Sequence, residues 1–443
     1  AGFDIVLGNP PYIKEYENKQ AFANFKTTSP YYMGKMDLWY GFLCIGLDLL
    51  RENGFLCFIA TNNWTTSTGA KKMRERILEV ATIRSLIDFN DYMVFENASI
   101  QTMILLLQHC SLDDKYLFDY RKLITNKASY TDAIAMLENR ESGSVLYLRC
   151  EIEKSSLCKN FTLTENKDGE LLSRINNGAN HLYESEAING IHPHYDFVNN
   201  NIALKHPTLR IGQGIFGLSE QEKDNLCLTN NELTLIKPYY TTEQIKRYVV
   251  YPRNRFWLIY TTSSFKNPDS MDSYPNIKRH LNLFRDVITS DNKPYGLHRA
   301  RNEAFFLGEK IICQRKCVSA PSFSYADFPT YVSATFYVIK TERFNLKFLT
   351  GLLNSKLIAY WLRHKGKMQG SNFQIDKDPL LQIPIKSAKE IDKQIIEQVE
   401  RILQAKQTDP DADIHVEEKR IDSLVYRLYG LNDSDIAIIE NEG

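Results

Sequence analysis

The amino-acid sequence predicts a mixed α/β protein of two or three domains. Its 443 residues exceed what one hydrophobic core usually organises. In the first part of the chain, short apolar runs alternate with segments of helical periodicity, which is the pattern of an α/β sheet. A polar and weakly periodic stretch, from about residue 111 to residue 207, separates this part from a second set of strand and helix patterns.

The elements of the first part begin with Phe3–Gly8, which is predicted as a buried strand because it is almost wholly apolar. Two prolines at positions 10 and 11 follow it, and they must stop sheet pairing. The other elements predicted in this part are a helix at Leu38–Arg51, a strand at Phe55–Thr61, a helix at Lys71–Val80, and strands at Ile83–Phe89 and Ile100–Gln108.

The polar stretch is predicted as a connecting region with short helices near 129–139 and 169–176. A second domain is expected to begin near Leu209 and to end in a helical C-terminal segment. The elements predicted there are strands at Tyr248–Tyr251, Phe256–Tyr260, Lys310–Gln314 and Tyr331–Ile339, and helices at Asn276–Ile288, Leu346–His364, Ala388–Gln407 and Val416–Tyr429.

The composition is typical of a globular protein of the cytoplasm. No apolar run reaches the length of a membrane span, no signal peptide is recognisable, and the eight cysteines are scattered as reduced thiols usually are. Cys313 and Cys317 with the His192-Pro-His194 tract are an alternative zinc site, but paired two-spacer cysteine motifs are absent. We therefore expect packed thiols, no bound metal and no membrane partner.

Basic residues are concentrated in one window, although the formal net charge is zero. From Lys237 to Lys316 there are fifteen Lys and Arg against seven Asp and Glu. Phosphate binding requires a local positive field and not a basic average, so this window is a candidate nucleic-acid surface. A solvated basic surface without a ligand is the alternative.

The tetrapeptide Asn9-Pro-Pro-Tyr12 carries the chemistry, because it follows a strand of an open α/β sheet, where ligands bind. An exocyclic amino group of a nucleobase is a poor nucleophile, and activating it requires acceptors that hold its hydrogens. Asn9 offers a side-chain carbonyl and Pro10 a backbone carbonyl, which Pro11 helps to keep rigid. Tyr12 offers an aromatic face to a base swung out of the duplex. The alternative is a purely structural role, in which the tetrapeptide is a turn that ends the strand and Tyr12 packs in the core.

The segment Phe3–Tyr12 resembles the catalytic strand of the gamma-class adenine-specific DNA methyltransferases of the Taq type, which occur in type II restriction-modification systems. Asp37-Leu-Trp-Tyr-Gly-Phe42 and Val94-Phe-Glu-Asn-Ala-Ser-Ile-Gln-Thr102 continue the resemblance. It implies that Asn9, Pro10, Pro11 and Tyr12 are catalytic, and that Phe95 stacks on the extruded base with Tyr12. It also implies that Phe42 and Asn9 contact S-adenosylmethionine. Without the resemblance, Phe42 and Phe95 would be interpreted as core aromatics.

The family's glycine-rich cofactor loop precedes the catalytic strand and is not found in this sequence, so we expect the chain alone to be inactive. Gly212-Gln-Gly-Ile-Phe-Gly217 matches a dinucleotide-binding pattern, but it lies far downstream and no strand-helix unit frames it. It instead resembles the opening turn of the family's target-recognition domain.

Several later segments, among them Lys237-Pro-Tyr-Tyr240 and Tyr274–Leu281, resemble the Taq-like specificity domain in the family's order. Arg and Lys near aromatic residues suit phosphate and base-edge contacts, although for each of them a solvated surface charge is an equal alternative. The candidate DNA-binding residues are Lys246, Arg247, Arg253, Arg255, Arg299, Arg301 and Arg315.

The resemblance completes the predicted architecture. Residues 1–115 would be the C-terminal half of a Rossmann-like, S-adenosylmethionine-dependent methyltransferase sheet, and 116–207 a connecting region. Residues 208–388 would form a mixed α/β target-recognition domain, and 389–443 the C-terminal helices. The implied partner is double-stranded DNA, and any restriction nuclease would lie outside this sequence. A DNA-binding module without catalysis and a methyltransferase acting on another amino acceptor, such as protein glutamine, are the alternatives.

Overall fold

The computed structural model describes residues 2–65, 67–95, 100–110, 114–125, 128–153, 166–369 and 372–441. The chain divides into two compact units, Ala1–Arg174 and Ile175–Gly443. No helix of the described residues is long and apolar enough to cross a membrane.

The first unit contains a six-stranded mixed sheet in the order β1-β2-β4-β3-β5-β6. Its strands are β1 (Phe3–Gly8), β2 (Leu50–Thr61), β3 (Thr82–Asp88), β4 (Thr102–Gln108), β5 (Lys115–Leu123) and β6 (Val145–Glu153). Its helices are α1 (Ala23–Thr28), α2 (Leu38–Asp48), α3 (Lys71–Val80), α4 (Tyr130–Leu137) and α5 (Asn166–Asn176), of which α5 spans the boundary in the sequence. The predicted α/β class of this part is confirmed.

The direction of the strands decides where the loops meet. β1 is parallel to β2, β3 is parallel to β5, and β4 runs antiparallel to both β2 and β3. Therefore β1, β2, β3 and β5 all run the same way, and their carboxyl ends lie at one edge of the sheet. β6 is antiparallel to β5 and closes the sheet on one side.

One face of this sheet is packed by α2 and α3. Trp39, Leu43 and Leu47 of α2 are fully buried in a cluster with Leu56 of β2. Gly46 allows the close approach of helix and sheet, because a Cβ atom there would lie 2.7 Å from the Leu56 side chain. The burial of these large side chains is the main stabilising contribution of the unit, at roughly 1.5–3 kcal/mol for each.

The prediction that Phe3–Gly8 is a buried strand is wrong in its burial. Phe3, Ile5 and Leu7 are 61%, 66% and 78% exposed. The reason is that β1 is the edge strand, paired with β2 alone, and no described element covers the face that carries these three side chains. An apolar run predicts a strand, but it does not show which neighbours the strand has.

The prediction that 116–207 is a connecting region with short helices misses two strands. β5 and β6 pair along their whole length and extend the first sheet. Tyr116, Phe118 and Tyr120 alternate with exposed residues along β5, so only one face is apolar and the polar face conceals the pattern. The helices predicted near 129–139 and 169–176 are present as α4 and α5. The boundary between the two compact units falls between Arg174 and Ile175 in the sequence, and not at residue 116 or residue 207.

The second unit contains three sheets among its described residues, in the orders β10-β14-β12-β16-β7, β15-β9-β11-β8 and β13-β18-β17. The strands are β7 (Ala187–Asn189), β8 (Gly217–Ser219), β9 (Ile236–Tyr240), β10 (Tyr248–Val249), β11 (Phe256–Ile259), β12 (Lys310–Gln314), β13 (Lys316–Cys317), β14 (Phe323–Ala326), β15 (Tyr331–Val332), β16 (Phe336–Ile339), β17 (Lys367–Gln369) and β18 (Asn372–Gln374). The helices are α6 (Asn200–Lys205), α7 (Glu220–Asn225), α8 (Asn230–Leu233), α9 (Pro275–Asn282), α10 (Leu346–Asn354), α11 (Lys356–Lys365), α12 (Lys377–Gln382), α13 (Lys389–Thr408), α14 (His415–Tyr429) and α15 (Asp433–Asn441).

The single helix predicted at Leu346–His364 is two helices in the structure. Ser355 lies between them, donates its hydroxyl to the Leu352 carbonyl at 2.7 Å and caps the start of α11. The two predicted C-terminal helices occur as α13 and α14, and α15, which was not predicted, follows them. α14 ends at Gly430, whose φ of 65° is the left-handed conformation that glycine adopts without cost.

Candidate functional site

The loops after β1, β2 and β3 meet at one edge of the first sheet. Asn9 follows β1, Asn62 follows β2, and the segment ending at Phe95 follows β3. The common direction of these strands places the three segments at the same end of the sheet. This edge is where ligands bind in open α/β sheets.

The Asn9-Pro-Pro-Tyr12 segment is held in a defined conformation at this edge. The Tyr12 hydroxyl donates either to Asn9 Oδ1, at 2.7 Å, or to the Ile59 carbonyl of β2, at 2.8 Å. The Asn9 side chain is exposed, whereas Pro10 is buried. Tyr12 therefore connects the amide oxygen of Asn9 to the neighbouring strand.

Tyr12 also forms an aromatic pair with Phe95. Their ring centroids lie 6.5 Å apart, with 55° between the ring planes. This is the geometry of a tilted aromatic contact, and rotation of one ring is required before a planar base can stack on both. The structure thus brings together Asn9, Tyr12 and Phe95, while residues 96–99 of the predicted base-stacking segment lie outside the described residues.

Asp37 is a further functional candidate, to which no sequence motif assigns a role of its own. Its side chain is 3% exposed, and neither carboxylate oxygen makes a hydrogen bond of good geometry among the described residues. Burial raises its pKa to about 6, although Lys14 and nearby backbone amides oppose the rise. Burial, and next the charge of Asp37, raise the pKa of Tyr12 to about 12. In the sequence, Asp37 is the first residue of the Asp37–Phe42 segment and directly precedes α2.

Phe42, the predicted cofactor contact, lies on α2 and is 46% exposed. The helix is fixed to the sheet by Trp39, whose indole Nε1 donates to Thr61 Oγ1 at the end of β2, at 3.0 Å. The exposed ring of Phe42 is therefore carried by a rigid element and is available to a planar ligand.

Three of the predicted DNA contacts are exposed cations of the second unit. Lys246, Arg253 and Arg299 make no side-chain hydrogen bond or ion pair with any residue that the structure describes. An exposed cation without a partner is free to contact a phosphate group.

Two other predicted DNA contacts, Arg247 and Arg255, form ion pairs with residues of the second unit. Arg247 forms an ion pair with Glu418 and donates to the Asn354 carbonyl. Arg255 donates both hydrogen bonds of a surface pair to Glu243, at 2.7 and 2.8 Å. The Arg247 guanidinium is thus occupied by residues of α10 and α14, whereas the Arg255 pair is exposed and exchangeable.

The last two contact backbone carbonyls. Arg301 donates from Nε to the Gly190 carbonyl at 3.3 Å, and burial lowers its pKa. Arg315 donates from Nη1 to the Ala334 carbonyl at 3.2 Å and from Nη2 to Asp376 at 3.4 Å. These contacts orient both guanidinium groups.

The glycine pattern at 212–217 forms a turn, with Gly212 at a φ of 81°. Gly214 and Gly217 are packed tightly, since a Cβ on Gly214 would lie 2.3 Å from the Gly217 carbonyl oxygen, and one on Gly217 would lie 2.9 Å from the Phe197 ring. The glycines serve close backbone packing at the start of β8.

The cysteines considered as metal ligands are packed thiols. Cys313 and Cys317 are buried, and the Cys317 thiol donates to the Gln314 carbonyl at 3.2 Å. His192 instead packs edge-on against His298, with 5.2 Å between ring centroids. The part of the chain that the structure describes contains no group of three His, Cys, Asp or Glu residues that could hold a metal ion. Cys158 lies outside it.

Two family models match the chain. The Eco57I restriction-modification methylase model matches residues 1–95, and the TaqI-like C-terminal specificity domain model matches residues 237–385. The first match contains Asn9, Tyr12, Phe42 and Phe95, and the second contains all seven candidate DNA contacts.

Several known proteins are similar to this chain over most of its length. The type II methyltransferase M.HindII of Haemophilus influenzae is 23% identical over 91% of this chain and 80% of its own length. M.BstVI of Geobacillus stearothermophilus, also a type II methyltransferase, is 20% identical over 99% of this chain and 75% of its own length. The type IIL restriction-modification enzyme MmeI, solved in complex with DNA, matches 99% of this chain with a TM-score of 0.64. The chain spans 56% of that structure, and at 13% identity the likeness concerns the fold.

Proposed function

Since this chain is a relative of the type II restriction-modification methyltransferases, we propose that it takes part in methylating the exocyclic amino group of adenine at a specific site in duplex DNA. The observation that carries the proposal is the contact of Asn9, Tyr12 and Phe95 at the carboxyl edge of the first sheet. A cognate restriction nuclease is the functional partner that we propose.

Asn9 and Pro10 act on the amine through their oxygens. An amide oxygen has two lone pairs, so Asn9 Oδ1 can accept from the adenine amine while it also accepts from Tyr12. The Pro10 carbonyl provides the second acceptor. Two fixed acceptors favour a more tetrahedral nitrogen, whose lone pair is then available for attack.

Tyr12 and Phe95 provide the aromatic surface for the everted base. A base within the duplex cannot reach a loop at the edge of a sheet, so the target must leave the stack. Stacking on an aromatic side chain contributes roughly 1–3 kcal/mol per base and offsets part of the cost of unstacking.

The methyl donor that we propose is S-adenosylmethionine, which supplies a methyl group activated by a sulfonium centre. The 46% exposure of Phe42 on a helix fixed by Trp39 fits a contact with a planar adenine ring. From this chain, Phe42 would hold the adenine of the donor and Asn9 would orient the acceptor nitrogen toward it.

The experiment is replacement of Asn9 in the full natural protein, expressed in a host without adenine methylation. Single-molecule sequencing of the host DNA is expected to show N6-methyladenine at one sequence motif. Asn9→Ala should lower the methylation rate at least 100-fold, since one acceptor is lost, and should leave DNA binding intact. Asn24→Ala, an exposed asparagine of α1, is the matched control and should behave as wild type. Retained methylation by Asn9→Ala would contradict the proposal.

A further inference from the structure

A cavity of about 530 Å³ lies within the second unit. Its walls come from the ends of β9, β12 and β18 and from the segment before β16, so several elements build it together. Phe197, Tyr240 and Phe336 give it an aromatic side, and Gln314, Arg315 and Gln374 line it with polar groups. Cavities with aromatic walls and a few fixed polar groups are typical of specific recognition sites.

Two glutamine side chains, Gln314 and Gln374, line the cavity. Neither side chain makes a hydrogen bond with a residue that the structure describes, although both are partly buried. Their amide atoms are not among the buried polar atoms of the described residues, so they are accessible to water and to a ligand that enters the cavity. Their amides can donate and accept at once, as a bidentate contact with a base requires.

Arg315 is oriented but not saturated. Its contacts with the Ala334 carbonyl and Asp376 use two of its five N–H groups, and its Nε is buried without a partner among the described residues. The guanidinium also lies over the Tyr337 ring, 5.1 Å from the centroid. It is thus held from several sides with donors to spare, in contrast to the exposed cations Arg253 and Arg299.

We propose that this cavity reads base edges of the recognition sequence, with Arg315 specifying a guanine and Gln314 and Gln374 specifying neighbouring bases. Arginine pairs with O6 and N7 of guanine, and glutamine with N6 and N7 of adenine. Asp196 also lines the cavity and offers a carboxylate to the amino group of the cytosine opposite the guanine. This inference rests on the proposed function, because it assumes that the ligand is duplex DNA.

The basic residues would then have two different roles, phosphate contact and base recognition. A side chain that contacts phosphate changes affinity for all sequences alike, whereas one that reads a base changes which sequence is preferred. Arg315 is therefore a specificity-determining residue. Arg253 and Arg299 are positioning residues that contact the sugar-phosphate backbone of the DNA.

The test is selection of duplexes from a random library by the full natural protein, which does not require methyl transfer. Wild type is expected to select a motif that contains a G:C pair, and Arg315→Gln should lose roughly 10- to 100-fold of the preference for guanine at one position only. Arg401→Gln, at an exposed arginine of α13 that is neither a candidate DNA contact nor part of the cavity wall, should select the wild-type motif. An unchanged motif for Arg315→Gln, or no selected motif for wild type, would overturn the inference.

Gln314→Ala and Gln374→Ala provide a second measurement that does not disturb the contacts of Arg315. Because their amides have no described partner, the variants should fold normally and relax the motif at positions next to the guanine. Wild-type motifs for both variants would remove the glutamines from the inference. Sequencing of methylated host DNA tests the proposed function separately. If the wild type and Arg315→Gln methylate the same motif, the proposed function is supported and the role assigned to the cavity is wrong.

Discussion

The Tyr12 hydroxyl has a choice between two acceptors, Asn9 Oδ1 and the Ile59 carbonyl. The first choice uses one of the two lone pairs of the oxygen that we assign to the substrate amine, and the second leaves both lone pairs free. With a pKa of about 12, the hydroxyl remains protonated throughout the neutral range and remains a donor. Tyr12 can therefore hold Asn9 in place before the base arrives and turn to Ile59 once it has arrived.

Removing the Tyr12 hydroxyl should affect methylation far less than removing the ring. Tyr12→Phe loses one hydrogen bond, of about 1 kcal/mol, and should lower the single-turnover rate by no more than about 10-fold. Tyr12→Ala also loses the stacking surface and should lower it more than about 100-fold. The signal of 2-aminopurine at the target position should report the lost base eversion in Tyr12→Ala. Equal loss in both variants would show that the hydroxyl and not the ring is required.

Replacing Asp37 should stabilise the first unit and weaken its activity. Burial raises the Asp37 pKa to about 6, above the usual 3.8, so the wild type gains stability as pH falls from about 6 toward 3.8. Above pH 6 the buried anion is unfavourable, and Asp37→Asn should be more stable by about 2 kcal/mol. This advantage should disappear near pH 4. Methylation should decrease, because a buried anion near Tyr12 favours the positive charge that develops on the amine.

The measurement for Asp37 combines hydrogen exchange of α2 across pH with methylation rates. Asp119→Asn on the exposed face of β5 is the control and should change neither. A destabilised but fully active Asp37→Asn protein would contradict the assigned role.

At this scale, the sequence identified residues whose chemistry is visible in a short motif. Asn9 and Tyr12 are three positions apart, and their contact follows from the tetrapeptide itself. Asp37 and the glutamines of the cavity were not recognised, because a carboxylate or an amide gains its role only from burial and from the lack of partners. Those properties depend on distant segments that no local pattern reports.

Strands and helices were predicted best where apolar residues recur with the period of the element and pack against a single hydrophobic core. α3 has the predicted bounds of Lys71–Val80, because its buried residues recur at helical spacing. β1 was correctly predicted as a strand, yet its exposure follows from its place in the sheet order. β5 was missed because charged residues occupy its exposed face.

The attachment of β7 to β16 in the second unit depends on Glu186. Its carboxylate accepts from both Nε and Nη2 of Arg343, at 2.9 and 2.6 Å, and from the Thr341 hydroxyl. Burial opposes ionisation, but these bonds and the Tyr183 amide outweigh it and hold the pKa of Glu186 at about 2. The contact closes one end of the five-stranded sheet.

Glu186→Gln should therefore destabilise this sheet by about 2 kcal/mol at pH 7. Because the pKa of Glu186 is lowered from 4.5, its contribution is present above pH 4.5 and is lost as pH falls toward 2. Hydrogen exchange of β16 measures the effect. Glu184→Gln is the control, since Glu184 is an exposed partner of Lys377 and should contribute less than about 1 kcal/mol. Equal protection in both variants would contradict the account.

Over the whole molecule, the basic and acidic residues are unevenly distributed along the chain, although their numbers are equal. The window from Lys237 to Lys316 has eight more basic than acidic residues, while the formal net charge of the chain is zero. The domain pattern of an α/β sheet followed by a mixed α/β unit was predictable from the order of periodic segments. Which cations of the window are free was not predictable, because their partners lie far away in the sequence, as Glu418 does for Arg247.

The salt dependence of DNA binding should distinguish free from engaged cations. Each phosphate contact releases counterions, so Arg253→Ala and Arg299→Ala should each reduce the slope of log K against log salt by about 1. Arg247→Ala should leave the slope unchanged, because its guanidinium is bound to Glu418 and the Asn354 carbonyl, and should instead destabilise the packing of the C-terminal helices. Fluorescence anisotropy with a non-specific duplex at several salt concentrations measures the slopes. An equal reduction in all three variants would mean that Arg247 leaves its internal partners when DNA binds.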